Sequence, residues 1–398
     1  MSSEESLATA ADSAPIAHAH GDPAPAAPAT AVLFRPLTVG TMTVKNRIVM
    51  APMTRSFAPG GVLHADMTEY YRRRSAGGVG LIVTEGTTVE HPVAHFTSGV
   101  PHFYGAAALA RWSEVVETVH DAGSCIIPQL WHTGLGRVAD RTENPDEPSI
   151  APSVVGKGRV REMTQKDIDD VIDAFGRGAV TARSLGFDGV AVHGAHGYLV
   201  DQFFWSRTNR RTDDYGGSAQ NRLRFGVEMI AEMRHRVGPR FPIMFRFSQW
   251  KATHYDAKLA ETPQELEAFL TPLADAGVDI FDASTRRFWV PEFADSPLPL
   301  AAWVKKLTGK VTMAVGSVGL QSPLDVAGGL SSQDDMAPTL KNLELLTTMM
   351  GGDTFDLIAV GRLILANPDL GHLLEEQRFR DLKPYNAKRV ADFIEPAV

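Results

Sequence analysis

Asp188-Gly-Val-Ala-Val-His-Gly-Ala-His-Gly-Tyr198 is the stretch on which the fold of this chain turns. Val190, Ala191 and Val192 form a short apolar run of the kind that makes a buried strand, and the run stops at His193. Beyond it stand two imidazoles and a phenol, His193, His196 and Tyr198, with Gly194 and Gly197 between them. Glycine lets the backbone turn sharply, so these three hydrogen-bonding, protonatable groups can converge at the C-terminal mouth of the strand.

Outward from this stretch, short apolar strands alternate with amphipathic helices in both directions. The pattern predicts strands at 47–53, 79–86, 124–132, 190–193, 242–248, 279–284, 311–318 and 356–361. Helices are expected at 66–76, 107–122, 168–185, 220–237, 263–276, 300–307 and 338–350, with further helices after the last strand. Such alternation implies parallel pairing through right-handed crossovers. Eight strand–helix units over this length suit an α/β fold closed as a (β/α)₈ TIM barrel. The polar, proline-containing excursion 135–165 reads as an inserted lid or subdomain after the third strand, with shorter insertions at 249–262 and 285–299.

In such a barrel chemistry belongs at the C-terminal ends of the strands. Thr54 follows the first strand, Gln129 and Trp131 lie in the third, and His193, His196 and Tyr198 follow the fourth. Arg246 lies inside the apolar fifth strand, where an unpaired charge would be costly, and this favours a ligand. Gly316 to Gly319 close the seventh strand, and Gly361-Arg362 close the eighth. Barrels commonly hold a phosphate at these last two places, so a phosphorylated ligand is expected, its other end near strands three to five.

The chain has 398 residues, a formal net charge of -8 and one cysteine, Cys125. An acidic balance argues against nucleic acid or an anionic membrane as partner. One cysteine builds neither a disulfide framework nor a metal cluster, which suits a reducing, cytoplasmic location. Residues 1–30 are Ala- and Pro-rich and read as a disordered tail without a leader's early basic residues, leaving 31–398 as one folded domain. No apolar run is long enough to span a bilayer, and no G-x-G-x-x-G follows a strand, so a resident dinucleotide domain is not expected.

At these residues the sequence resembles the old yellow enzyme family of FMN-dependent ene-reductases, also known as NADH:flavin oxidoreductases. The resemblance rests on Lys45-Asn-Arg-Ile-Val-Met-Ala-Pro-Met-Thr54, Gly80-Leu-Ile-Val-Thr-Glu-Gly86, Pro128-Gln-Leu-Trp-His132, His193-Gly-Ala-His-Gly-Tyr198, Asn209 to Ser218 with Asn221-Arg222, and Val360-Gly-Arg362. It implies non-covalent FMN, with NAD(P)H as reductant and an electron-poor alkene such as an α,β-unsaturated carbonyl as oxidant. It further implies that Pro52, Met53, Thr54 and Gly86 meet the flavin ring, Gln129 its pyrimidine part and Arg246 its N1 and C2=O. Gly316, Ser317, Gly361 and Arg362 would hold the phosphate. His193 and His196 would grip a carbonyl oxygen, Tyr198 would give a proton and Trp131 would shape the substrate pocket. Relatives often pair as homodimers.

Plainer readings exist for each residue. His193 and His196 taken alone could be core histidines, or ligands of a metal-dependent barrel hydrolase, although glycines between them suit a turn better than a ligand helix. His91, His95 and His102 show no partner pattern and read as solvent or loop residues, and Arg72-Arg-Arg74 reads as a solvated helix face. The loop Trp250 to Tyr255 is distinctive and carries no evident role, and the polar segment 319–352 is longer than the family pattern.

Overall fold

A computed structural model of the chain describes residues 29–156, 158–320 and 340–386. The Ala/Pro-rich stretch up to residue 28 and the polar tract 331–335 lie outside the described residues. The first strands, β1 (Leu37–Val39) and β2 (Met42–Val44), pair antiparallel as a hairpin. Eight others close a parallel barrel: β3 (Ile48–Met50), β4 (Leu81–Thr88), β5 (Cys125–Trp131), β8 (Val190–His196), β9 (Ile243–Lys251), β10 (Ile280–Ser284), β11 (Val311–Val315) and β12 (Leu357–Val360). Between β5 and β8 the excursion forms a separate two-stranded sheet of β6 (Ser149–Ala151) and β7 (Val160–Glu162).

The long helices fall where periodicity places them, and the short helix Leu199–Phe204 after β8 was not expected. They are α1 (Asp66–Ala76), α2 (Ala106–Asp121), α3 (Gln165–Ser184), α4 (Leu199–Phe204), α5 (Ala219–Val237), α6 (Pro263–Ala276), α7 (Leu300–Thr308), α8 (Leu340–Gly351), α9 (Arg362–Ala366) and α10 (Leu370–Glu375). Local chemistry sets several starts. Thr164 and Asp167 make a reciprocal capping box on α3, Ser218 caps α5, and Thr262 caps α6 with Pro263 in its first turn.

Strand alternation divides the core in two. Ile48, Met50, Ile82, Val190, Val192, Phe245 and Phe281 point outward onto helix residues such as Tyr70, Trp112, Phe175 and Phe225. Val49, Leu81, Val83, Ile127, Ala191, Met244, Ile280, Met313 and Leu357 point inward and fill the barrel. Val39, Met42 and Val44 of the hairpin join this inner group and close its N-terminal end. The hairpin was not expected from the sequence, although Val39-Gly-Thr-Met42 carries a two-residue turn between alternating residues.

Three expectations are corrected. The fourth barrel strand does not stop at His193 but runs to His196, because pairing with β9 continues past Gly194 through a register shift. The fifth runs to Lys251, so the start of the expected 249–262 insertion is strand. Arg74 is not solvated: it is fully buried, its guanidinium 3.9 Å over the Tyr70 ring and Nη1 donating to Tyr70 O at 2.8 Å. Arg72 keeps the exposed role, paired with Glu69.

Candidate active site

The inward rows change character at their C-terminal ends. Two residues beyond Ile127 on β5 stands Gln129, and two beyond Ala191 on β8 stands His193. Two beyond Met244 on β9 is Arg246, and two beyond Ile280 on β10 is Asp282. Register sets them side by side: Gln129 lies opposite Ala191, His193 opposite Arg246, and Arg246 opposite Asp282. Period-two geometry thus delivers a ring of polar side chains to one end of an apolar cylinder.

The turn after β8 completes this ring. A Cβ on Gly194 would fall 2.4 Å from the Phe245 ring, so only glycine allows the approach. His196 takes the left-handed conformation at φ +64 and Gly197 follows at +85, which re-aims the chain. His193 meets His196 edge-to-face at 5.2 Å and Tyr198 at 5.0 Å between centroids. Trp131 backs both, stacked on His193 at 5.7 Å and edge-on to Tyr198 at 4.7 Å. A Cβ on Gly86 would strike the Trp131 ring at 2.5 Å.

Behind the turn lie groups that the sequence did not reveal. The Gly197 N–H donates to Asp201 Oδ2 at 2.7 Å, and Lys251 Nζ donates to Asp201 Oδ1 at 2.7 Å. Both members of this ion pair are completely buried. Trp250 stacks on His196 at 4.3 Å, so the unassigned Trp250 loop begins as the support of the His196–Tyr198 turn. His196 Nε2 lies 2.8 Å from Ser284 Oγ, which accepts from Arg246 Nη2 at 3.2 Å and can give its own hydroxyl proton to a neutral Nε2, leaving the other ring nitrogen of His196 as the N–H. Arg246 Nη1 is 3.1 Å from Asp282 Oδ2, so the charge on β9 has a protein partner as well as an inward aim.

Burial holds His193 and His196 well below the usual imidazole range, with the Arg246 charge acting in the same direction. Both are therefore neutral at pH 7 and can donate one N–H each. Burial raises the Tyr198 phenol to about 12, so it keeps its proton. Several buried polar atoms at this end have no hydrogen-bond partner in another of the described residues: Gln129 Nε2, Trp131 Nε1, His193 Nδ1 and Arg246 Nε. Buried polar atoms in proteins are nearly always satisfied, so such a cluster points to a ligand.

The remaining candidates surround the same end of the barrel. Pro52 and Met53 are half-buried and Thr54 is exposed just past β3. Their position is set by Glu85, whose carboxylate accepts from Arg55 N at 2.9 Å and Ser56 N at 3.3 Å. Burial raises that carboxyl to about 7. Gly316 sits after β11, where a Cβ would meet Thr285 O at 2.5 Å. Ser317 follows at φ +51 with its hydroxyl donating to Arg286 O at 2.9 Å. Gly361 precedes α9, its vacant Cβ direction meeting only Met53 Sδ, at 3.5 Å, and Arg362 opens that helix with burial lowering it to about 10. Two surface cavities, of about 500 and 530 Å³, lie elsewhere, the first lined by Thr41, Arg183, Phe187 and Arg240 and the second by Glu90, His91 and Arg177. Neither contains a convergent set of buried, unpartnered donors, so the barrel mouth remains the candidate site.

His95 and His102 lie on a loop, between β4 and α2, as expected, but are not solvated: they are buried and in ring contact at 4.7 Å.

Comparison with known proteins agrees with the barrel fold. Residues 32–381 match the model of the NADH:flavin oxidoreductase / NADH oxidase family. An NADH oxidase of Thermoanaerobacter brockii is 30% identical over 355 residues, covering 88% of this chain and 52% of that protein. A cinnamate reductase of Clostridium sporogenes is 31% identical over 389 residues, covering 89% of this chain and 54% of that protein. The chain thus spans about half the length of these two relatives. A solved structure of morphinone reductase in complex with tetrahydroNAD superposes with a TM-score of 0.71 at 25% identity, covering 87% of this chain and 90% of that one.

Proposed function

The chain belongs to the NADH:flavin oxidoreductase / NADH oxidase family, and on that premise we propose that it is an FMN-dependent, NAD(P)H-consuming reductase of electron-poor alkenes. The observation that carries the proposal is the inward polar layer, in which neutral His193, Arg246 and Gln129 present buried donors toward one space.

These donors suit FMN. The unpartnered Gln129 amide and Arg246 Nε fit the carbonyl and N1 edge of an isoalloxazine. The open Cβ direction at Gly361 leaves backbone accessible for a phosphate, beside Gly316, Ser317 and Arg362. Pro52, Met53, Thr54 and Gly86 would border the ring. Bound there, FMN would supply ping-pong hydride transfer through N5 between NAD(P)H and the alkene.

The protein's own contributions follow from protonation states. Two neutral imidazoles, His193 and His196, donate to the carbonyl oxygen of an α,β-unsaturated substrate and stabilise the enolate charge that develops there. Ser284 orients the His196 ring through the 2.8 Å contact. Tyr198, fully protonated at neutral pH, delivers a proton to the α carbon. Trp131 forms the wall behind His193 and Tyr198 and limits what can lie against them. Cinnamate, the substrate named in one relative, is an alkene conjugated to a carboxylate and has the required polarity.

A metal-dependent hydrolase at His193 and His196 is not favoured. The grouping of three metal-type ligands found among the described residues does not include either histidine. No helix among the described residues is long and apolar enough to cross a membrane. A cytoplasmic location, supported by the single cysteine, and pairing into a homodimer, supported by the resemblance, complete the proposal.

The test begins with the visible spectrum of the purified protein. Flavin absorption near ~450 nm, bleached by NADH or NADPH and restored by cyclohexenone, is the expected result. A colourless protein, or a flavin that nicotinamides do not bleach, would overturn it.

A further inference from the structure

A second group of histidines stands apart from the barrel mouth. His95 and His102 lie on the loop between β4 and α2, and Glu143 lies on the loop after β5. One ring nitrogen of each histidine and a carboxylate oxygen of Glu143 all lie within 4.8 Å of one another. His102 Nε2 and Glu143 Oε1 are 3.4 Å apart. Zinc bonds to nitrogen and oxygen of about 2.0–2.2 Å place neighbouring ligands of a tetrahedron roughly 3.4 Å apart. One edge of such a tetrahedron is therefore already at its bound spacing.

We propose that His95, His102 and Glu143 form a binding site for one divalent transition-metal ion of zinc-like preference, with a fourth position open to water. His95 carries the strongest independent sign. It is only 2% exposed, yet its Nδ1 is buried with no hydrogen-bond partner among the described residues. Its Nε2 lies 2.8 Å from the Tyr104 hydroxyl. A histidine that ligates a metal characteristically commits its other ring nitrogen to a hydrogen bond, which fixes ring and tautomer.

The other two ligands are suited in complementary ways. His102 is stacked on Tyr104 at 4.5 Å and 10°, and a Cβ on Gly61 would fall 2.2 Å from its ring, so the imidazole is clamped on both sides. Both rings are buried, His95 at 2% and His102 at 8% exposed, and a metal takes the neutral form of an imidazole. Glu143 is 40% exposed and supplies the path by which an ion enters. Two imidazoles and one carboxylate are a donor set that favours zinc over magnesium or calcium.

The position of the site gives an ion there a consequence. The two loops already touch, through Val138 N–H to Phe96 O at 3.1 Å and Ser98 N–H to Arg141 O at 2.7 Å. Phe96, the neighbour of His95, stacks on Trp131 at 5.7 Å. A bound ion would cross-link these loops and stiffen the aromatic wall of the barrel mouth.

The test uses the full chain carrying its flavin, treated with chelator, desalted, and titrated with Co²⁺ and then Zn²⁺. The expected result is one equivalent of Co²⁺, seen as ligand-field absorption at wavelengths longer than the flavin's and displaced by Zn²⁺. His102→Ala and Glu143→Gln should each weaken binding at least about tenfold, while His193→Ala leaves it unchanged. Glu143 lies on an exposed loop, so its variant folds even where His102→Ala does not, and retained flavin verifies both. Absence of Co²⁺ uptake would reduce the group to an ion pair under stacked rings and end the proposal. Uptake that survives Glu143→Gln undiminished, or that disappears with His193→Ala, would end it equally.

Discussion

At its N-terminal end the barrel interior is closed by Val39, Met42 and Val44 of the hairpin, packed on Val49, Leu81 and Met313. At its C-terminal end the same inward rows finish in Gln129, His193, Arg246 and Asp282. One alternation serves both ends, and only the residue chosen at each layer differs. The lower layers remove apolar area from water and stabilise the fold. The upper layer does the opposite, burying ring nitrogens, a guanidinium and the Asp282 carboxyl, which burial, partly offset by Arg246, raises to about 6. The apolar layers thus offset the cost of the polar one, whose desolvated donors suit the proposed binding site.

Substitutions at the two ends should separate these roles. The largest effect is expected for Lys251→Ala, which leaves the fully buried Asp201 carboxylate without its cation beneath the His196–Tyr198 turn. Stranding one member of a buried pair costs about 3–5 kcal/mol, read as a drop in the denaturation midpoint. Replacing both, as Lys251→Met with Asp201→Leu, should recover much of the stability; no recovery would show that the pair does more than neutralise itself. Next comes Tyr198→Phe, expected to slow alkene reduction about 100-fold while reduction of the flavin by NAD(P)H continues at its normal rate. Equal slowing of both half-reactions in stopped flow would remove Tyr198 from proton donation.

At the opposite end, Met42→Ala should cost about 2–3 kcal/mol by opening a cavity under the barrel. Turnover per bound flavin should be unchanged, and a fall in that quantity would mean the two ends are not independent. The smallest effect concerns acid. His193 and His196 are held neutral below the pH at which free imidazole protonates, so the unfolded chain takes up more protons as pH falls. Their contribution is complete above about pH 6.5 and declines as pH drops below that value. The melting temperature should therefore fall on acidification, and the slope should flatten in His193→Asn. An unchanged slope would show that other groups govern the acid limb.

Much of this was legible in the residues because periodicity is local. Every barrel strand and the long helices were visible, and the mouth residues were marked by polar side chains interrupting apolar runs. What escaped depended on distance along the chain or on short elements. Strands of three residues, as in the hairpin, give too little alternation to stand out. Lys251 and Asp201 are fifty positions apart, and Ser284 meets His196 from eighty-eight away, so neither partnership leaves a local sign. Gly194 resembles the end of a strand in the local sequence because the hydrogen bonds that carry the strand onward come from β9, some fifty residues later. The burial of His95 and His102 within their loop left no sign for the same reason, since the rings that cover them come from loop closure. Arg74 looked like a surface cation because a helix face is judged by spacing, whereas the Tyr70 ring and carbonyl that bury it are set by packing.

The left-handed backbone of His196 narrows the evolutionary options at that position. A β-branched or large aliphatic replacement would strain the main chain, and glycine would keep the turn but lose the side-chain donor. Asparagine enters this backbone region more readily than most residues and carries an N–H of its own. Descendants of this sequence that keep the proposed carbonyl-binding role should therefore drift between histidine and asparagine here, whereas His193, in ordinary strand conformation, is free of that particular restriction.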